Sequence, residues 1–244
     1  KPKEEVGRKV CGDAVGAHHF DRTGIRPPDG EELEGTYEGV RVFSPDAETV
    51  YVVRGKGFSI SRHKFGQRLL RDALEAGAKA FMPAVVVGAK VTEERIETIS
   101  VRSRKKVMSL RAKLYIDASG WTGSLRRLVA PRMKVEPEIS KDDVAFAYRE
   151  VRELSRKYET PEFADVFLDM DLAPGGYWWA FPKRGGERIN IGLGVQLSSG
   201  KNPRRQYELV VGKLDFLKGT KLVDAGAGIV PTRRPLDNLS LIHI

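Results

Sequence analysis

Scarcity sets the first bounds on this chain of 244 residues, which contains one cysteine, four methionines and four histidines. A single thiol, Cys11, closes no internal disulfide and fits a reducing compartment. No run of about 20 apolar residues occurs, so nothing reads as a membrane-spanning helix. His18 and His19 are adjacent rather than at ligand spacing, and no carboxylate or thiol set completes a site, so no metal centre is expected. Also missing are the Gly-x-Ser-x-Gly elbow, the His-Glu-x-x-His pair and the phosphate-binding loop, which sets aside the common hydrolase, zinc-protease and kinase chemistries. The sequence shows no fixed-period repeat and no low-complexity segment. It opens on Lys1-Pro2-Lys3-Glu4-Glu5 with neither an initiator Met nor a leader pattern, and so reads as an interior piece.

What is present suits a globular chain with a sizeable core. Hydrophobic residues make up 41% of it. A net charge of +9 and an isoelectric point near 9.6 would attract nucleotides, nucleic acid or anionic lipid. The basic residues form no single run interleaved with aromatics, which is the pattern of a solvated basic face, and no nucleic-acid partner is expected.

Residues 1–34 read as an irregular region with a short helix or turn. Tyr37 to Phe43 and Glu48 to Val53 read as a hairpin about a Ser44-Pro45-Asp46 turn. Ser61 is an N-cap candidate for a helix carrying Phe65, Leu69, Leu70, Ala73 and Leu74 at helical spacing, with Gly77 as its stop. Short strands over Ala78 to Ala89 follow, then an antiparallel pair over Arg95 to Val101 and Val107 to Ile116, and a short helix over Ser124 to Val129. Further strands are expected at Val144 to Val151, Ala164 to Leu168, Tyr177 to Pro182 and Arg188 to Val195. Asn202-Pro203 starts a helix to about Leu217, and Lys221 to Val230 is strand-like.

Three stretches concentrate the candidate chemistry. Two of the three tryptophans lie in Pro174-Gly175-Gly176-Tyr177-Trp178-Trp179-Ala180-Phe181-Pro182, ahead of a strand with spaced Gly192 and Gly194. Clustered rings build a rigid apolar wall, either a core or the side of a ligand site, and the glycines leave room for a ring system or acyl chain to reach backbone. Asp117-Ala118-Ser119-Gly120 puts a carboxylate at the expected end of a strand, beside a turn into a helix, where α/β sheets bind ligands; an ordinary turn fits as well. In Cys11-Gly12-Asp13-Ala14-Val15 small residues open the backbone to a planar ligand, although a lone Cys is also a small buried hydrophobe. Arg62 and Gln67 on the first helix would meet a phosphate or a ring edge, or stay in solvent.

In this order, Lys9 to Val15, Arg62 to Leu74, Asp117 to Trp121, Pro174 to Pro182 with Gly192-Leu193-Gly194, and Val230 to Pro235, the chain resembles the geranylgeranyl reductases. The archaeal enzymes that saturate isoprenoid chains of membrane lipids are the nearest likeness, and the Tyr-x-Trp-x-Phe-Pro segment is the most specific element. The resemblance implies FAD in a p-hydroxybenzoate hydroxylase-like α+β fold. It implies cofactor contacts from Cys11, Gly12, Asp13, Ala14, Val15, Arg62, Gln67, Asp117 and Gly120. An isoprenoid lipid substrate would lie along Tyr177, Trp179, Phe181, Pro182, Gly192 and Gly194, with Cys11 and Tyr177 as candidate catalytic groups. It further implies a cytoplasmic protein touching the inner face of the membrane, and an electron donor that is a ferredoxin, a nicotinamide or a deazaflavin.

The expected organisation interleaves a partial FAD domain (residues 1–34, 59–130 and 226–244), with a parallel sheet short of strands and an exposed apolar edge, and an antiparallel substrate domain (35–58 and 131–225). The family's opening Gly-x-Gly-x-x-Gly unit is absent, Leu239 to Ile244 does not match the family, and the piece is expected to bind FAD weakly or not at all by itself and to be inactive alone. The competing readings are a related flavin monooxygenase or halogenase and a basic, non-enzymatic membrane-surface module.

Overall fold

Alternation along one strand explains why this chain has a buried face and an open one. In the computed structural model, which describes residues 1–133 and 135–232, Ile189, Ile191, Leu193 and Val195 are fully buried on one side of a strand. Asn190, Gly192 and Gly194 fall on the other side by the period of two. A helix from Pro203 to Val211 covers the apolar side, setting Tyr207 and Val210 against it. Asn202 caps this helix, its side chain accepting from the backbone N–H groups of Arg204 and Arg205 at 3.0 and 3.2 Å.

In chain order the strands and α-helices are β1 (Ala14–Gly16), α1 (His18–Thr23), β2 (Leu33–Phe43), β3 (Val50–Ile60), α2 (Arg62–Glu75), β4 (Val85–Val91), β5 (Ile96–Ser103), β6 (Lys106–Leu110), α3 (Ser124–Val129), β7 (Val144–Glu153), β8 (Phe163–Phe167), β9 (Tyr177–Lys183), β10 (Arg188–Gln196), α4 (Pro203–Val211) and β11 (Lys221–Pro231). Eight strands form one sheet in the order β1-β3-β2-β8-β9-β10-β7-β11, while β4, β5 and β6 form a small separate one. Only β2 and β8 pair in parallel among the described strands.

The expected hairpin, α2, α3 and the strands from β7 to β11 are present. Ser61 caps α2 by accepting from Lys64 N–H at 3.5 Å, a long contact. Four expectations are corrected. The helix after Pro203 stops at Val211, with a 3₁₀ turn at Asp215–Leu217. Residues 111–116 are not a strand, because no described strand lies beside them to take their hydrogen bonds, and Ile116 is 74% exposed. The expected parallel sheet of the cofactor part is not found among the described residues, whose small sheet is antiparallel, as expected of β5 and β6. On α2, Arg68 rather than the apolar stripe is buried, held by Glu32 at 2.8 Å. The expected mismatch over Leu239 to Ile244 lies outside the described residues.

The segment before β1 reaches the sheet by crossing α2. Gly7 and Gly66 make the crossing possible, since a Cβ on Gly66 would lie 2.5 Å from the Gly7 Cα. Gln67 fastens it by donating to the carbonyls of Lys3 and Val6 at 3.0 and 2.9 Å. Lys9 to Asp13 is thereby delivered onto the open face of β9 and β10.

Candidate functional site

Strand register writes the open face as rows. Across β9, β10, β7 and β11, one row is Tyr177, Gly194, Ala147 and Gly228; the next is Trp179, Gly192, Arg149 and Gly226; then come Phe181, Asn190, Val151 and Asp224; then Lys183, Arg188, Glu153 and Lys221. Small residues therefore pave one end, aromatics wall the β9 side, and charge accumulates at the other end. A cleft of about 520 Å³ lies over the small end, lined by Tyr177, Trp179, Phe181, Gly175, Gly176 and Cys11 among others. A second, more polar cleft of about 490 Å³ continues past it, with Lys9, Asp13, Arg62 and Arg149 common to both.

The Cys11 segment roofs this floor. A Cβ on Gly12 would stand 2.9 Å from Cε2 of Phe181 and 3.6 Å from Nε1 of Trp179, so only glycine lets the backbone rest on those rings. Asp13 adopts a left-handed φ of 64°, which an aspartate tolerates when its side chain is held. It is held firmly. Lys183 donates to Asp13 Oδ2 at 2.9 Å, lies 2.6 Å from Glu34, and donates to the Ile60 carbonyl at 3.2 Å. Asn190, fully buried, donates to the Cys11 carbonyl at 2.8 Å and to Asp13 at 3.1 Å, while accepting from the Trp179 indole at 3.1 Å. One polar network thus joins the aromatic wall to the thiol segment.

Cys11 Sγ lies 3.8 Å from a guanidinium nitrogen of Arg62. Tyr177 is 44% exposed, its ring edge-on to Trp179 at 6.0 Å between centroids. Burial, and then the nearby Cys11, raises its phenol above the ordinary tyrosine range, so it stays protonated at neutral pH.

The predicted residues divide by position. Cys11, Gly12, Asp13, Ala14, Arg62, Tyr177, Trp179, Phe181 and Gly194 line the apolar cleft together. Val15 lies in a smaller pocket behind it, which Cys11 and Arg62 also line. Gly192 is covered, since its Cβ would strike Trp179 and Arg149, and Pro182 pairs with Ile189 on the opposite, buried face. Gln67 is spent on the crossing segment. Asp117 and Gly120 are not part of the cleft lining; Asp117 accepts from the backbone of Leu125 and Arg126 at 3.1 and 2.9 Å, closing the start of α3. Burial would raise that carboxyl, but the hydrogen bonds from Ser119, Arg126 and Leu125 outweigh it and leave it below the ordinary aspartate value.

Sequence reasoning missed Ala145, Ala147, Arg149, Gly228 and Thr232, which β7 and β11 bring to the same cleft. The period-two run Ala145, Ala147, Arg149, Val151 was the available signal.

Among the described residues no group of His, Cys, Asp and Glu is placed to hold a metal, and no helix is long and apolar enough to cross a membrane.

The strands that build this face, β7 to β11, coincide with a family match: residues 143–232 fit the geranylgeranyl reductase catalytic domain. The chain matches the geranylgeranyl reductase family. A digeranylgeranylglycerophospholipid reductase of Sulfolobus acidocaldarius is 34% identical over 241 residues, covering 97% of this chain and 53% of the relative. Digeranylgeranylglycerophospholipid reductase 1 of Methanopyrus kandleri is 29% identical, with 96% and 61% covered. The chain spans about half to three-fifths of the length of these curated relatives. Among solved structures, a geranylgeranyl bacteriochlorophyll reductase-like protein from Thermoplasma acidophilum superposes with a TM-score of 0.83 at 20% identity, covering 93% of this chain and 58% of that one. A flavin-dependent brominase superposes less well, at a TM-score of 0.68 and 14% identity, with 93% and 59% covered. The expected α+β fold of the geranylgeranyl reductases and flavin halogenases is therefore the one observed, and the reductase side of it is the nearer.

Proposed function

We propose that this chain works with FAD to saturate C=C bonds in the geranylgeranyl chains of membrane-lipid precursors. The carrying observation is the cleft itself: an aromatic wall and a floor of Gly194, Ala147 and Gly228, both built on the strands that match the catalytic domain, with the Cys11 segment roofing them. An apolar chain gains about 25 cal/mol for each Å² it removes from water in such a groove. The residues also fit a flavin. Gly12 and Ala14 present backbone without bulk to a planar ring system, and Arg62 has no carboxylate partner among the described residues.

Reduced FAD, when bound, supplies hydride to one alkene carbon. The other carbon needs a proton, and the candidate donors at the cleft are the Cys11 thiol and the Tyr177 phenol. The aromatic wall orients the chain and keeps water from the bond. Division of the chain into a cofactor part (1–34, 59–130, 226 onward) and a substrate part belongs to the same proposal, as do a cytoplasmic location and a peripheral contact between the cationic surface and anionic lipid.

The test is mass spectrometry of a digeranylgeranyl lipid incubated with the gene product, FAD and dithionite. One pair of hydrogens should be gained for each bond reduced. A protein shown to be flavin-loaded and reduced that leaves the lipid unchanged would sink the proposal, and gain of a halogen or an oxygen by an aromatic substrate would put the halogenase or hydroxylase reading in its place.

A further inference from the structure

Arg149 is the one residue of the open face whose chemistry the cleft leaves unused. It is 5% exposed, and its Nε and Nη1 are buried without any hydrogen-bond partner. Its third nitrogen, Nη2, reaches Asp224 at 2.8 Å, and that carboxylate is 60% exposed. An orphaned guanidinium is a costly thing to keep in a protein interior, and a fixed fork of donors is matched to oxyanions.

Its position gives the orphan a direction. Arg149 lines both the apolar cleft and the polar one, at the row where small residues give way to charge. The acidic groups of the polar cleft are already engaged: Asp13 and Glu34 by Lys183, and Asp224 by Arg149 itself. Arg188 is neutralised by Glu153. Arg8, Lys9 and Arg62 remain, with no carboxylate partner among the described residues. The uncompensated charge at this junction is thus positive. The unpaired nitrogens lie just beneath the cleft surface, and a guanidinium swinging outward leaves behind only its bond to the exposed Asp224.

We propose that Arg149 anchors a phosphate-class anion at the polar end of the apolar cleft, with Lys9 and Arg62 adding charge around it. The cleft would then take an amphipathic molecule end-on, hydrocarbon over Ala147 and Gly194, anion at Arg149. The phosphate of a lipid head group and a phosphate of a flavin nucleotide share this chemistry. Assignment to the lipid rests on the function proposed above; the anion site itself does not.

Binding to the full chain is read by quenching of tryptophan fluorescence at low salt, using farnesyl monophosphate, farnesol and ADP as probes. Farnesyl monophosphate should bind roughly tenfold or more tightly than farnesol, the effect of a charge-assisted pair. Arg149→Met should erase that preference while leaving farnesol binding within about twofold, and Arg149→Lys should restore part of it. Asp224→Asn leaves the buried arginine in place and should tighten farnesyl monophosphate, which keeps the test open should Arg149→Met fold poorly. A phosphate preference that survives Arg149→Met, or no preference in the unmodified chain for either phosphate probe, would overturn the proposal. If ADP alone binds in an Arg149-dependent way and neither prenyl compound binds, the anion site stands and belongs to the cofactor, and it is the lipid reading that fails.

Discussion

Lys183 holds the thiol segment to the aromatic wall, and replacing it by Met measures how much that hold is worth. The side chain is 4% exposed and its ammonium serves Asp13 at 2.9 Å, Glu34 at 2.6 Å and the Ile60 carbonyl at 3.2 Å. Methionine fills most of the stem's volume, so the loss is electrostatic rather than a cavity. Removing one partner of a buried pair costs about 3 to 5 kcal/mol, because the other charge is left buried. Here Asp13 keeps its bond from Asn190 at 3.1 Å, and Glu34 keeps Arg184 at 3.7 Å, which places the expectation near the low end, about 3 kcal/mol. Urea unfolding at neutral pH reads that number. A cycle with Asp13→Asn should show a coupling of at least about 1 kcal/mol. Cys11 is the sole cysteine, so its rate of labelling by a thiol reagent reports the same link, and should rise in Lys183→Met. A loss below about 1 kcal/mol with unchanged labelling would refute the reasoning.

Gly12→Ala should lower stability by about 1 to 3 kcal/mol, since its Cβ would press on the Phe181 ring, whereas Gly55→Ala, with nothing within 4 Å, should stay within about 0.5 kcal/mol in the same thermal melts. Trp179→Phe keeps a ring but takes the donor from buried Asn190, and should cost about 1 to 3 kcal/mol by urea titration. Asp117→Ala should lose about 1 kcal/mol of capping at pH 7. Because the Asp117 carboxyl is lowered in the folded chain, its contribution is complete above the ordinary aspartate value near 3.8 and fades as the pH falls through the lower folded value, so the gap between the two proteins should narrow in unfolding curves below pH 3.8.

Periodicity was legible wherever a face has to be dry. The run Ile189, Ile191, Leu193 and Val195 announced its strand because α4 buries every second residue of it, and Ser61, Gly77, Asn202 and Pro203 marked helix ends because capping is local chemistry. Residues 111–116 carry the alternation of a strand without forming one, since a strand exists only with a neighbour to bond to, and pattern says nothing of neighbours. The segments at Cys11 and Tyr177, singled out in the sequence, meet in one cleft. For Asp117 the sequence left a ligand and a cap open, because a carboxylate before a helix serves either, and the distances to Leu125 and Arg126 add the cap. Arg149 was harder to read for another reason. The period-two run puts it on one face of its strand, but only the rows across β10 and β11 reveal glycine on both sides of it.

For the isoprenoid chain proposed above as its occupant, that paving of Gly194, Ala147 and Gly228 would have a consequence for how length is measured. Side chains on a floor act as notches, and a hydrocarbon sliding over notches finds preferred stops. A smooth floor has none, and every carbon along the chain meets nearly the same surface. Choice among successive double bonds then has to come from the ends: how far the molecule can advance past Tyr177, and where its far terminus is stopped. Such a groove works as a ruler read from its end, and a change that lengthens or shortens the reach between the stop and the wall should move the position that reacts without changing the surface the chain lies on.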